Sequence, residues 1–141
     1  MEPTKEPHIQ VILCEPGKTA RITTIKNDLP SLQKMVGGYI EAIYPFEDPV
    51  AIVCNEEGKL EHLDLNRAIR NESGEICDII AGPFLITGLG TEDFASLSKE
   101  HQEKYLQMFR CPEVFLQAGD KILAIPIDPV DRARRPKSPK R

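Results

Sequence analysis

The chain has 141 residues and a formal net charge of −4, with 40% apolar residues, 28% charged residues and no Trp. That suits one modest aliphatic core in a cytoplasmic protein: no apolar run is long enough to span a bilayer, and MEPTKEPHIQV lacks the pattern of a secretory signal. The charge is divided, because residues 129–141 hold six basic side chains against Asp131, a net of +5, which leaves −9 on residues 1–128.

Residues 1–7, with two prolines, read as a loose lead-in. HIQVILCE alternates and then turns apolar, Pro16-Gly17 signals a turn, and ARITTIK is rich in β-branched residues, so the chain opens on a hairpin. Asp28 is placed to cap a helix with Pro30 in its first turn, and Leu29, Leu32, Met35 and Val36 form its apolar face. Gly37-Gly38 ends that helix. YIEAIY predicts a third strand, FEDP a turn, and VAIVC a central, wholly buried strand.

Asn55-Glu56-Glu57-Gly58-Lys59 then reads as a hairpin tip with Gly58 at positive φ, and Asn66 as the cap of a short helical turn, RAIR, that sets Arg67 and Arg70 at i, i+3. ICDIIA and FLIT are further strands, separated by Gly82-Pro83. SKEHQEKYLQMF predicts a helix capped by Ser98, with Tyr105, Leu106, Met108 and Phe109 as its apolar contacts, and residues 114–127 a closing hairpin around Gln117-Ala118-Gly119-Asp120. Residues 129–141, rich in Pro, Arg, Lys and Ser, read as a disordered basic tail. The expected architecture is one α+β domain over residues 8–128: a mainly antiparallel sheet of about seven strands with two or three short helices packed on it.

Four segments carry a resemblance: LQKMVGGYIE at 32–41, CNEEGK at 54–59, LNRA at 65–68 and IAGPFLITG at 80–88. Together they resemble the bacterial and phage family catalogued as domain of unknown function 3846, over roughly residues 8–127. Members of that family sit on phages, plasmids and conjugative elements, some beside antirestriction genes. The resemblance implies an accessory or counter-defence role and supplies no catalytic residues.

The residues themselves offer little chemistry. Cys14, Cys54, Cys77 and Cys111 are widely spaced with no C-x-x-C pair, and three of them sit in or next to apolar, β-branched runs, which fits small buried hydrophobes better than a metal site. His8, His62 and His101 lie far apart, and no nucleophile motif accompanies them. No cofactor, metal or catalytic set is therefore expected, and the expectation is of a non-enzymatic protein. The candidate binding residues are Asn55, Glu56, Glu57, Gly58, Asn66, Arg67 and Arg70. Glu56-Glu57 suits a cation or a basic partner, with a solvated turn as the plain alternative. Asn66-Arg67 offers a cap and a guanidinium to an anionic group, with a surface salt bridge as its alternative. Three readings stay open: an accessory protein that binds a host protein, a small-ligand (nucleotide) binder, or a nucleic-acid-associated regulator using the basic tail.

Overall fold

The computed structural model describes residues 7–128. The expected disorder of the basic tail, and all but the last residue of the lead-in, lie outside those residues. Ten strands and two helices are present among them, and every strand pairing is antiparallel; the α+β class is as expected, but ten strands stand where about seven were expected, and they divide among three sheets.

The chain opens on a hairpin, β1 (His8–Cys14) with β2 (Arg21–Lys26), as the β-branched runs predict. Helix α1 (Leu29–Val36) follows, its N-terminus capped by Asp28, whose carboxylate accepts from Ser31 N at 2.8 Å. Strands β3 (Ile40–Ile43) and β4 (Val50–Asn55) come next, and all six residues of β4 are buried. Strand β7 (Phe84–Leu89) inserts between β1 and β4, giving the main sheet the order β2-β1-β7-β4-β3, and the two-residue β8 (Phe94–Ala95) pairs with the end of β7.

Both faces of this sheet are covered, which explains the continuous apolar run of β4. One face buries Ile9, Val11, Leu13, Val53 and Leu85 with Leu32 of α1. The other buries Ile12, Ile52, Phe84 and Ile86 with Tyr105 and Phe109, which come from helix α2 (Lys99–Met108) and its C-terminal cap, and with Ile69 and Ile80. Those last two belong to a separate ribbon, β5 (Leu65–Arg70) with β6 (Ile76–Ala81). A second ribbon, β9 (Glu113–Ala118) with β10 (Lys121–Pro126), lies against β5. One face of it leaves Val114, Leu116, Leu123 and Ile125 exposed.

Four local expectations need correction. Leu65–Arg70 is a strand and not a helical turn, because its polar residues find partners in distant segments instead of in the next helical turn. The Asn55–Lys59 segment is not a hairpin tip: β4 pairs with β3 and β7, and the loop after it crosses to the separate ribbon. Gly58 is not at positive φ; it is buried where an added Cβ would lie 2.6 Å from Ala81 O. Cys77, expected to be buried, is exposed, while Cys14 and Cys54 are buried as expected and all four cysteines are free thiols.

The double glycine divides its work. Gly37, at φ 83°, holds the left-handed residue that ends α1, and its N–H donates to Gln33 O. Gly38 is ordinary in φ but abuts Asn55, whose Nδ2 would lie 2.9 Å from an added Cβ. Gly37→Val should therefore cost about 1–2 kcal/mol of stability, whereas Gly37→Asn, which tolerates the left-handed region, should cost less. Urea melts of the two variants beside wild type check the order; equal midpoints would refute the assignment of Gly37.

Candidate functional site

The seven candidate residues separate into two places. Asn66 and Arg67 lie in the interior, both 0% exposed. The Arg67 guanidinium donates from Nε to Phe109 O at 3.1 Å, from one terminal nitrogen to Asn66 Oδ1 at 2.7 Å, and from the other to Lys18 O at 2.7 Å. Asn66 Nδ2 in turn donates to Cys14 O and Gly82 O. These two side chains thus join β5, the turn after β1, the start of β7 and the end of α2.

A charge in this position needs a compensating field, and no carboxylate among the described residues touches it. Part of that field is the C-terminus of α2, whose last carbonyls carry partial negative charge and whose last turn holds no basic residue of its own. Burial pulls the Arg67 guanidinium below its ordinary value, opposed by Cys14 and Glu113. Burial also pushes the Cys14 thiol up to about 12, despite Arg67 beside it. Arg70 acts further out along β5, where it pairs with Glu113 at 3.3 Å and donates to Ala124 O, clasping the β9–β10 ribbon. Glu113 also accepts from the Ala68 N–H at 2.9 Å, so one carboxylate serves the edge of β5 and its arginine together.

Asn55, Glu56, Glu57 and Gly58 border a cleft of about 170 Å³ between the β3–β4 edge of the main sheet and β6. Ile43, Cys54 and Ile80 contribute apolar lining, Glu41, Glu56, Glu57 and Asp78 contribute carboxylates, and Leu60 stands beside it, 78% exposed. The loop is pinned. Asn55 Oδ1 accepts from Glu57 N, Asn55 Nδ2 donates to Val36 O, Gly58 sits against Ala81, and Lys59 pairs with Asp78 at 2.9 Å. The Glu41, Glu56 and Glu57 carboxylates have no cation within ion-pair distance among the described residues. Burial, reinforced by Glu41 and Asp78 and opposed by Lys59, pushes the Cys54 thiol up to about 11, so it is a neutral wall at neutral pH. A second hollow, of about 230 Å³, shares Asn55 and Glu57 and is completed by Gln33, Gly38, Tyr39 and Glu61.

Glu41, Asp78, Ile43 and Ile80 were not among the sequence candidates. Glu41 is marked by its alternation with the apolar residues of YIEAIY and by closing the LQKMVGGYIE segment, neither of which gives it a partner, and the approach of β6 to β3 has no sequence signal. A third cluster also went unforeseen. Asp48, before β4, accepts from Lys104 Nζ and Tyr105 Oη at 2.7 Å each, with His101 Nε2 at 3.7 Å. The Lys104 and Tyr105 hydrogen bonds hold the Asp48 carboxyl below the usual aspartate range, and burial raises the Tyr105 hydroxyl above its own. Phe46 stacks on Tyr105 at 4.9 Å, so this cluster latches the β3–β4 loop to α2.

A family model described as domain of unknown function (DUF3846) matches residues 9–110, most of the chain. The chain belongs to this family. The DUF3846 match takes in both helices, the main sheet and the β5–β6 ribbon, and ends before β9–β10. No curated protein and no solved structure matches the chain. Among the described residues of this DUF3846 protein, no helix is long and apolar enough to cross a membrane.

Two outcomes follow. Arg67→Ala should lower unfolding free energy by about 3 kcal/mol or more, since it leaves several buried acceptors unsatisfied at roughly 1–3 kcal/mol each, and Arg67→Lys should not restore it, since a lysine cannot present forked donors. Equilibrium urea unfolding reads both. The Asp48 latch gives a pH signature: with its folded pKa depressed, its contribution is present above the ordinary value of 3.8 and is lost as pH falls through the lower folded value. The gap in Tm between wild type and Asp48→Asn should therefore narrow as pH is lowered below 3.8; a gap that stays constant would exclude the latch.

Proposed function

We propose that this DUF3846 protein is a non-enzymatic binding module for a partner protein, and that the cleft between β3 and β6 takes a positively charged segment of that partner. One observation carries the reading. Three carboxylates, Glu41, Glu56 and Glu57, line one pinned cleft beside the exposed Leu60; none of them is ion-paired among the described residues, and Lys59, the basic residue of the lining, is already engaged by Asp78. Packing the core requires none of the three, and a preformed acidic cleft with apolar lining favours a cationic partner over an anionic one.

In this reading the protein acts in the cytoplasm as an accessory protein of a phage or mobile element, binding a host protein, with counter-defence as one such role. That setting rests on the family resemblance and not on the geometry. The small-anion reading loses its main support, since the donors of Arg67 are committed to Phe109, Asn66 and Lys18 inside the core.

The test is a fluorescence anisotropy titration of the full chain with a labelled, Lys-rich peptide of about ten residues at physiological salt. Glu56→Lys with Glu57→Lys should weaken binding tenfold or more, about 1.4 kcal/mol, and leave Tm nearly unchanged. Glu72→Lys with Glu103→Lys, a reversal at two exposed carboxylates outside the cleft, should bind as wild type does. If both double variants bind alike, the cleft is not the site.

A further inference from the structure

The open edge of β3 sets the form of what binds. Glu56 N donates to Tyr39 O, which marks 39 and 56 as a hydrogen-bonded pair; the alternation of an antiparallel ladder then makes 41 with 54 and 43 with 52 the next bonded pairs. The N–H and C=O groups of Ile40 and Ala42 consequently point away from β4. β3 is the last strand of the main sheet, and no turn or loop hydrogen bond among the described residues reaches those four groups.

Sheet edges are commonly protected by lysine, proline or a bulge. β3 has none of these: its sequence is IEAI and its register with β4 is regular, so its protection is its four-residue length and the negative charge of Glu41, which a cationic strand would neutralise. The opposite edge differs, since β2 carries Arg21 and Lys26. The β3 edge is also flanked by Tyr39 and Tyr44, 72% and 60% exposed, and its Glu41 side chain lines the acidic cleft.

We infer that the partner supplies an extended peptide, which adds to β3 as a further strand and sets alternate basic side chains beside Glu41, Glu56 and Glu57. This rests on the acidic cleft being the binding site and goes beyond it, because it specifies a linear segment over a folded basic surface. Charge complementarity selects the occupant: a cationic strand is matched to the three unpaired carboxylates beside this edge, whereas at the β2 edge Arg21 and Lys26 are already paired with Glu15 and Asp28. With only Ile40 and Ala42 facing outward, the main chain can exchange at most two donors and two acceptors. Alternation matters as much as charge, since only every second side chain of an added strand faces the cleft.

The experiment uses the full chain and a labelled hexapeptide alternating Lys and Val, with two further versions N-methylated at alternate residues, one on each edge of the peptide. Strand addition predicts that one methylated version loses binding tenfold or more and that the other keeps it. On the protein side, Ala42→Pro removes an outward N–H and none of the β3–β4 hydrogen bonds, and it should weaken the unmodified peptide by a similar factor. Circular dichroism confirms folding; should that variant unfold, the methylated pair decides the matter alone. If both methylated peptides bind like the parent, the contact is charge without strand pairing and the inference fails while the cleft stands. If both lose binding, the peptide is enclosed on both edges and the inference fails as well. If the unmodified peptide does not bind, the cleft reading falls and takes the inference with it.

Discussion

A guanidinium buried with no carboxylate in contact among the described residues is the constraint on which the rest of this fold depends. Arg67 has to be satisfied by carbonyl oxygens, and the ones it uses belong to Lys18 after β1, Phe109 at the end of α2 and its neighbour Asn66. Desolvating a cation is costly, so these acceptors must be in place together or the arrangement fails. The result is a polar junction of three parts that also share an apolar core: the main sheet, the β5–β6 ribbon and α2. Nearby, Phe84 meets Phe109 edge-on at 5.6 Å, setting an aromatic contact beside the junction.

The junction also accounts for the position of the cleft. With β5 held by Arg67 and Asn66, β6 is brought past β3 and β4, and Gly58 can pass Ala81 because it has no side chain. The acidic rim is therefore a product of the same packing that buries the arginine. The β9–β10 ribbon is different in kind. It lies beyond the family match and attaches to β5 through Glu113 and Arg70.

What could be read in the sequence follows from the range of each interaction. Both helix caps were legible, because Asp28 and Ser98 act on N–H groups three residues away. β4 was legible because a strand covered on both faces is apolar throughout. LNRAIR was misread because its signal is indistinct: Asn66 resembles a cap, while the atoms that satisfy it lie 52 and 16 residues away. The acceptors for Arg67 at Phe109 and Lys18 are 42 and 49 residues distant. Glu56 and Glu57 could be singled out as exposed carboxylates next to a buried strand, but the partner wall, Asp78 to Ala81, could not, since nothing local records that β6 passes there. Gly37 and Gly38 show the same division, one serving its own helix and the other making room for Asn55.

The pinned loop at Asn55–Lys59 has a kinetic consequence. A segment already held by Asn55, by the Gly58 contact with Ala81 and by Lys59 with Asp78 has little conformational freedom left to surrender when a ligand arrives. Under the proposed function, association would then be governed by diffusional encounter steered by the unpaired carboxylates, and residence time by the fit of the apolar floor. Added salt would act chiefly on the rate of arrival and much less on the rate of departure, so the interaction would be quick to form and only as durable as Ile43, Ile80 and Leu60 make it.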